Sequence, residues 1–312
     1  MKRSGIDPTP VPVDSQDMHK KLAAILLASA QLLAACAASG DGIRTTEHTT
    51  SSPKPWAYDR ASTEHVLVGE TSERFELRHG DCGGIPDAGG WEDCGNDRQR
   101  TERVSDWSRS TALYYAFSVY LPEDFADISP ANQSLAQVKV KNWRHPVWML
   151  EVKDGALKFE MNAVGRRCPG LFPLEEMHGR WTRIVIYANY GAMSEGSDGP
   201  DGDFAAIWIN GERKPCHALH GSLTDRNVRR ELAGKGSSFR YGLYHSYVSR
   251  YLARKGTRKP DVEAFVDRHV NEGTVSRSPS RRPFDHDWGI ELPTQVIWFD
   301  GVSIGRSWPD AE

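Results

Sequence analysis

The stretch SSFRYGLYHSYVSR, Ser237–Arg250, carries the alternation that decides the fold. Successive side chains of a β-strand point to opposite faces. One face would carry apolar or aromatic groups, namely Phe239, Tyr241, Leu243 and Tyr247. The opposite face would carry Arg240, Gly242, Tyr244 and Ser246. The pattern predicts a strand with one face in a hydrophobic core and a guanidinium and a phenol on the other.

Short runs of this kind recur along the chain between glycine-rich or Asn-Gly turns. They cover residues 74–78, 112–121, 135–141, 147–152, 157–163, 181–190, 204–210, 239–249 and 295–304. Many short strands with few helical periods predict an all-β protein, a β-sandwich jelly roll with two antiparallel sheets. The polar strand faces would then line a concave substrate groove.

Length and composition allow one large domain. The 312 residues are 38% hydrophobic and include ten each of Trp, Tyr and Phe, enough for a substantial core. All-β sandwiches commonly reach about 250 residues as a single domain. The formal net charge of -3 argues against nucleic acid as a partner, because general nucleic-acid binding usually requires a strongly basic domain.

The first apolar run predicts export. Met18 is followed by a basic stretch and by the apolar segment Leu22–Leu33, which is too short to span a bilayer. The sequence LAAC that ends this region resembles the lipobox of bacterial lipoproteins, with Met18 as the start residue and Cys36 as the lipidated first residue of the mature protein. Simple cleavage near the Ala-rich stretch and a buried helix are the alternatives. We therefore expect a signal segment over residues 1–36 and a lipoprotein anchored in the outer membrane, periplasmic or at the cell surface, with no other membrane contact.

Export also bears on the remaining four cysteines. An even number of cysteines in an oxidising compartment favours disulfides over a metal site. Their spacings fit no zinc pattern. Of the three connectivities that four cysteines allow, we favour Cys82 with Cys94 and Cys168 with Cys216.

Two segments interrupt the strand pattern. Residues 37–65 are rich in Ser, Thr, Gly and Pro and predict a flexible tether ahead of the jelly-roll domain at residues 66–312. Residues 250–290 form a basic insertion with one short helix expected at residues 260–270. The insertion is either a solvated surface segment or a basic lid beside a groove for an anionic ligand.

Three strands each offer a polar and mostly cationic face. Arg98, Arg100 and Glu102 share one face of the first, and Gln137 and Lys139 share one face of the second. Arg240 and Tyr244 belong to the third. On any single strand, a solvated face with an ion pair such as Arg100 to Glu102 is the simpler interpretation. Three such faces beside aromatic residues favour a binding groove.

The motifs RTE at 100–102, QVK at 137–139 and FRYGLYHS at 239–246 resemble the three motif strands of the jelly-roll polysaccharide lyases. This is the alginate lyase superfamily, with a concanavalin A-like fold. The segments RFELRHGD, YAFSVYLPEDF, YGLYHSYVSR and VIWFDGVSIG are closer to its heparin lyase I and glucuronan lyase group. The resemblance covers roughly residues 70 to 308.

The resemblance implies β-elimination at a uronic acid. A base removes the proton at C5, and the glycosidic oxygen leaves from C4. Arg100 and Gln137 match the positions that neutralise the carboxylate, an electrostatic effect typically worth several kcal/mol. Tyr244 matches the tyrosine that protonates the leaving oxygen and in syn elimination can also act as the base.

One position departs from the family pattern. Lys139 stands where alginate lyases have the histidine of Q-I-H. The base is therefore Tyr244 in both roles, Lys139 with a lowered pKa, or His145, in that order of preference. We expect Arg240 and Lys139 to lower the pKa of the Tyr244 phenol, and Gly242 to leave room for a sugar ring.

Further contacts to substrate are expected from Arg98, Arg240 and Glu102, with His145, Trp143 and Trp148 near the groove, although for His145 a plain loop position is the simpler interpretation. No metal-ligand spacing appears, so no cofactor is required. A calcium ion held by Asp300 or by the acidic loop at residues 198–203 is left open.

The predicted partner is an acidic polysaccharide, glucuronan or a similar polyuronate, and the protein is expected to be a monomer. A glycoside hydrolase on a similar sandwich is one alternative. It would need two carboxylates about 5 Å apart, and the E-x-D-x-x-E strand typical of such enzymes is not found in the sequence. A non-catalytic glycan-binding module is the other, and the lysine at position 139 favours it.

Overall fold

The computed structural model describes residues 45–51, 54–81, 84–85, 91–93, 97–110, 112–140, 145–162, 165–189, 200, 203–220, 236–255 and 291–309. These residues all belong to one compact unit, residues 42–312. Signal segment 1–36, Cys36, Cys82, Cys94, Trp143 and the predicted helix at 260–270 lie outside the described residues.

Two seven-stranded antiparallel sheets form the domain. The first sheet contains, in spatial order, β1 (Thr45–Ser51), β6 (Arg98–Ser105), β15 (Ser237–Ser246), β8 (Asn132–Val140), β9 (Trp148–Lys153), β10 (Ala156–Met161) and β11 (Arg166–Pro173). The second contains β14 (Glu212–Lys214), β13 (Ala205–Ile209), β12 (Arg180–Asn189), β7 (Ala112–Leu121), β16 (Gln295–Gly305), β3 (Ser72–Leu77) and β2 (Tyr58–Ser62). The predicted β-sandwich jelly roll is confirmed.

Smaller elements complete the described chain. Two short strands, β4 (Gly84–Ile85) and β5 (Trp91–Glu92), pair with each other. One α-helix, α1 (Val248–Arg254), follows β15. Single turns of 3-10 helix lie at Leu174–Glu176 and His217–Leu219.

The two sheets pack through their apolar faces. Phe239, Tyr241 and Leu243 of β15 are at most 1% exposed, as the alternation predicts. The Phe239 ring lies 5.2 Å from that of Tyr115 on β7, and the Tyr241 ring lies 5.2 Å from that of Phe299 on β16. Arg240 and Tyr244 are therefore on the face of the first sheet that points away from the second sheet, which we call the polar face.

The strand predicted to run to residue 249 ends earlier. Ser246 is its last residue, Tyr247 has a φ of 58°, and α1 begins at Val248. The basic insertion expected from residue 250 therefore starts inside a helix, and residues 256–290 lie outside the described residues.

The segment expected to be a tether contains two strands. β1 pairs with β6, with Ser51 opposite Thr101, and β2 pairs with β3, with Tyr58 opposite Phe75. Both lie at sheet edges, where backbone hydrogen bonds to one neighbour are enough to hold a strand. Such strands lack the strong apolar alternation on which our prediction relied, so residues 45–51 and 58–62 are not tether.

The structure contains the Cys168–Cys216 disulfide, one of the two pairings favoured from the sequence. It joins β11 of the first sheet to the short 3-10 turn that begins at His217, with the two Cα atoms 5.8 Å apart.

Candidate active site

Backbone pairing brings the three predicted motif strands side by side. β15 lies between β6 and β8, so Tyr244 is opposite Arg100 and Arg240 is opposite Gln137. Gly242 is opposite Glu102. Directly paired residues of antiparallel strands project from the same face, and their side chains meet.

Arg100 is closed off by carboxylates of the protein itself. Its Nε and Nη2 atoms donate to Asp93 at 2.7 and 2.6 Å, a bidentate pair, and Nη1 donates to Glu102 at 3.3 Å. Arg100 is 4% exposed, and Asp93 and Glu102 are at most 1% exposed. The expected Arg100–Glu102 ion pair is therefore present. Sequence reasoning missed Asp93, which follows a two-residue strand and belongs to no motif.

Gln137 is engaged in the same network. Its Nε2 atom donates to the second carboxylate oxygen of Glu102 at 2.6 Å. Arg100 and Gln137 were expected to face the substrate carboxylate, but in this structure their donors are directed to Glu102 and Asp93. The ion-pair interpretation of this strand face is the one that fits, because each buried carboxylate is matched by a charged or amide donor.

Arg240 is the cation that stays open. It is 8% exposed, and its Nε and Nη1 atoms are buried with no hydrogen-bond partner among the described residues. Burial lowers the pKa of Arg240, an effect that the charge of Glu102 opposes and that of Arg100 reinforces. A buried guanidinium without an acceptor is unfavourable, and a carboxylate is the partner that best matches its planar fork.

Lys139 lies on the same face, two residues beyond Gln137. Burial lowers the pKa of its amine to about 7, and the positive charges of Arg240 and Arg100 act in the same direction. The carboxylates of Glu102 and Asp93 only partly oppose them. A large fraction of the amine is therefore uncharged near neutral pH and able to accept a proton.

Tyr244 carries its hydroxyl against Arg98. The Nε atom of Arg98 donates to the phenol oxygen at 2.9 Å, and the guanidinium of Arg100 lies 4.3 Å from the centre of the ring. Burial raises the pKa of the phenol, and the charges of Arg100 and Arg98 only partly offset this. The expectation that neighbouring cations bring the pKa below its ordinary value is wrong, because desolvation outweighs them.

Gly242 is required by the backbone conformation of β15, and its geometry does not show space for a sugar. Its φ is 133°, and a Cβ atom at this position would come within 2.3 Å of the Thr101 carbonyl oxygen and 3.0 Å of the Glu102 Cα. The pairing of β15 with β8 is also irregular between Tyr241 and Tyr244. Gly242 thus permits a close approach of β15 to β6, and the expected role of making room for a sugar ring is not what its geometry shows.

Two other expected groove residues lie elsewhere. Trp148 is fully buried in the core, where its ring packs on Tyr115 and Phe159, so it is no sugar platform. His145 is exposed just before β9, and the described contacts do not connect it to Tyr244 or Arg240. The simpler loop interpretation fits His145.

Within the described ranges, no cluster of three or more His, Cys, Asp or Glu side chains could hold a metal ion. The Asp300 carboxylate accepts backbone N–H bonds from Leu67, Val68 and Gly301 at 2.7 to 2.9 Å. Both oxygens of Asp300 thus already accept hydrogen bonds from backbone amides. Of the helices in the described part of the chain, none has the length and apolar character needed to cross a membrane.

A cavity of about 250 Å³ lies apart from these residues, beside the Cys168–Cys216 disulfide. The Asp203 carboxylate in its wall accepts from Arg213 at 2.5 Å and contacts His220 Nδ1 at 2.7 Å. Its ion pairs are satisfied internally, so the polar face of the first sheet is the better candidate for chemistry.

Comparison with known proteins decides the family. The model of the polysaccharide lyase family matches residues 40–270. The chain belongs to the polysaccharide lyase family. The match includes β6, β8 and β15 and begins ahead of β1, in agreement with the strands found at residues 45–62. The enzyme class expected from the sequence is confirmed.

Among solved structures, this polysaccharide lyase is remotely similar to an alginate lyase of polysaccharide lyase family 7, with 13% identity, a TM-score of 0.41, and coverage of 80% of this chain and 85% of that chain. An alginate lyase from Corynebacterium sp. gives 11% identity, a TM-score of 0.37, and coverage of 75% and 76%. A cellulose-induced protein gives 11% identity, a TM-score of 0.44, and coverage of 83% and 90%. No curated protein matches the sequence.

Proposed function

We propose that this polysaccharide lyase cleaves a uronic-acid-containing polysaccharide by β-elimination, with Arg240 as the carboxylate receptor, Lys139 as the base and Tyr244 as the acid. The observation that carries the proposal is the buried guanidinium of Arg240 on the polar face, whose Nε and Nη1 atoms have no hydrogen-bond partner among the described residues. The other buried guanidinium of this face, Arg100, already holds Asp93. A uronate carboxylate would satisfy Arg240.

The first chemical step requires charge stabilisation. Loss of the C5 proton places a second negative charge next to the uronate carboxylate. The fixed guanidinium of Arg240, in a site with little water, stabilises that charge as it develops. The amine of Lys139, with its pKa lowered to about 7, takes the C5 proton and becomes an ammonium.

The second step requires an acid at the leaving oxygen. Because its pKa is raised, Tyr244 keeps its proton at neutral pH. Arg98 already donates to the phenol oxygen, so the O–H of Tyr244 is free to point at the glycosidic oxygen. As the C4–O bond breaks, the proton moves to the leaving sugar, a C4–C5 double bond forms, and Arg98 and Arg100 stabilise the phenolate. Proton transfer from the Lys139 ammonium, through water, then restores both groups.

This division of roles differs from our first preference, in which Tyr244 is both acid and base. A phenol whose pKa is raised is a poor base at neutral pH, whereas an amine with a pKa of about 7 is well matched to it. Lys139 can therefore act as the base in place of the family's histidine, and the substitution does not require the protein to be a non-catalytic binding module.

The experiment is an ultraviolet assay for the unsaturated uronate formed by elimination. Residues 37–312 are incubated with polyglucuronate, alginate, heparin, hyaluronan and pectate, beside the Tyr244→Phe variant. We expect absorbance to rise with polyglucuronate, the substrate of the glucuronan lyase group that the sequence resembles, and to be lost in Tyr244→Phe. New reducing ends without absorbance would overturn elimination in favour of hydrolysis.

We further propose that the enzyme is an exported lipoprotein that starts at Met18, is lipidated at Cys36 and acts as a monomer. The basic and apolar run before Cys36 supports the export signal. Labelled palmitate should be incorporated in cells that express the full chain and not the Cys36→Ala variant. Labelling of both would overturn the assignment of Cys36.

We also propose that catalysis requires no cofactor. Lys139, Tyr244 and Arg240 supply the base, the acid and the charge stabilisation from the chain itself. Activity on polyglucuronate should persist after dialysis against a chelator. Loss of activity that calcium restores would contradict this.

A further inference from the structure

The side chain of Tyr247 is exposed, and its backbone has an unfavourable positive φ. It directly follows β15, is 39% exposed and has a φ of 58°, a region that residues with a side chain seldom occupy. Asp97, which directly precedes the neighbouring strand β6, also has a positive φ, of 63°. Its carboxylate accepts hydrogen bonds from the Ser249 N–H and hydroxyl, both at 2.6 Å, and so fixes the start of α1 after Tyr247. Backbone of this kind persists where surrounding contacts impose it, and it concentrates at functional sites.

The ring of Tyr247 carries two guanidiniums. The Arg250 Cζ lies 4.0 Å from the ring centre and the Arg98 Cζ lies 5.1 Å from it, both in the range of cation–π contacts. The same Arg98 donates to the Tyr244 hydroxyl at 2.9 Å. One guanidinium therefore connects the Tyr247 ring to the phenol of Tyr244.

Arg250 keeps its donors available. It is exposed on the first turn of α1, and no described carboxylate lies within salt-bridge distance of it. The Asp97 carboxylate interacts electrostatically with Arg250, but both of its oxygens accept hydrogen bonds from Ser249. A ring contact positions the guanidinium without neutralising its charge, so the planar fork of Arg250 remains free for an acid.

We propose that Tyr247 and Arg250 form a shelf that binds the carboxylate of a uronate on the leaving-group side of the bond that is cut. This inference rests on the proposed function. Along β15, Arg240 precedes Tyr244 by four residues and Tyr247 follows it by three, so the open guanidinium and the shelf are on opposite sides of the phenol. The uronate that loses its C5 proton is held by Arg240, and the sugar that leaves with the protonated oxygen lies towards the shelf.

The shelf defines a substrate class. A carboxylate is recognised on both sides of the cleaved bond, so contiguous polyuronates are bound better than polymers in which uronates alternate with uncharged sugars or hexosamines. A charge-assisted hydrogen bond to the second carboxylate would change affinity roughly 10-fold or more.

The experiment compares Arg250→Gln and Tyr247→Asn with the unmodified enzyme on polyglucuronate. Asparagine suits the left-handed backbone at position 247 while removing the ring, so unfolding is not expected, and thermal melting checks it. We expect KM to rise roughly 10-fold in both variants, with kcat unchanged in Arg250→Gln, which leaves the contact of Arg98 with Tyr244 in place. The matched control is Lys255→Gln, which removes a cation that directly follows α1 and lies over the Tyr251 ring. It should leave KM unchanged.

Unchanged KM in Arg250→Gln and Tyr247→Asn would overturn the shelf, as would an equal rise in Lys255→Gln, which would show a general effect of net charge. Failure of the proposed function looks different: the unmodified enzyme would then give no unsaturated product. In that case the affinity of the same proteins for polyglucuronate, measured by calorimetry, tests the shelf directly. Equal affinities of unmodified protein and both variants would overturn it.

Discussion

Two buried guanidiniums on the same sheet face, those of Arg100 and Arg240, have opposite surroundings. Arg100 makes a bidentate pair with Asp93 and a third contact to Glu102, whereas Nε and Nη1 of Arg240 meet no acceptor among the described residues. Burial disfavours both charges. Interactions with Asp93, Tyr244 and Glu102 more than compensate for the burial of Arg100, so its pKa is raised, whereas the pKa of Arg240 is lowered.

The difference separates structure from function within one motif cluster. A guanidinium that holds two carboxylates of its own protein contributes to folding and positions the ring of Tyr244. A guanidinium that is buried without an acceptor is a burden to folding unless a ligand uses it. Arg100 therefore belongs to the scaffold of the site, and Arg240 to the part that meets the substrate.

Removal of Arg100 tests the scaffold side and should have the largest effect. In Arg100→Leu, Asp93 and Glu102 lose their cation while both remain almost fully buried. Breaking a buried pair in this way typically costs about 3–5 kcal/mol of unfolding free energy. Urea denaturation measures it, and a double variant that also carries Asp93→Asn should recover part of the loss. A stability equal to that of the unmodified protein would contradict the assignment of Arg100 to the scaffold.

Removal of Arg240 tests the catalytic side. In Arg240→Leu, a charge without an acceptor is replaced by an apolar group, so the free energy of unfolding should stay unchanged or increase. The kcat on polyglucuronate should fall roughly 100- to 1,000-fold, the size found when one donor to a developing charge is removed. Arg240→Lys keeps a positive charge but not the planar fork, so it should retain only part of the kcat of the unmodified enzyme. If Arg240→Leu instead loses much stability and keeps a normal kcat, Arg240 belongs to the scaffold and not to the part that meets the substrate.

The sequence predicts much of this arrangement. The alternation in β15 correctly places Phe239, Tyr241 and Leu243 in the core and Arg240 and Tyr244 on the other face. It is wrong for Tyr247, which lies beyond the end of β15 and is exposed. The edge strands β1 and β2 are missed because backbone pairing, which leaves no apolar pattern, holds them.

Within the site, the residue types were predictable but their partners were not. Asp93, which accepts hydrogen bonds from Arg100, belongs to none of the motifs, and its position is set only by the folded chain. The net direction of the Tyr244 pKa depends on how burial compares with the charges of Arg100 and Arg98, and the sequence states only the charges. Gly242 shows the same limit, because its positive φ and its close approach to the Thr101 carbonyl oxygen are features of the folded backbone that the alternation pattern does not reveal.

Replacement of Gln137 should have a smaller effect than replacement of either arginine. Its amide donates to Glu102, so we place it with the scaffold. Gln137→Leu removes the amide that donates to the buried Glu102 carboxylate, which should cost about 1–3 kcal/mol of unfolding free energy. The kcat should change far less than in Arg240→Leu. If kcat instead falls as much as in Arg240→Leu while urea denaturation shows no loss, Gln137 binds substrate, as the family resemblance implies.

The smallest effect is a shift of pH dependence. Lys139 must be uncharged to take the C5 proton, so kcat/KM should rise as the pH passes its pKa of about 7. The charge of Arg240 is one cause of that low pKa. In Arg240→Gln the like charge is gone, the pKa of Lys139 increases, and the midpoint of the rise should move to higher pH. Arg167→Gln, an exposed arginine paired with Glu160, serves as the control and should leave the midpoint in place. If Tyr244 were the base, its raised pKa would put the rise well above neutral pH in the unmodified enzyme. The position of the midpoint therefore identifies the base, and its shift shows whether Arg240 is charged and close to it.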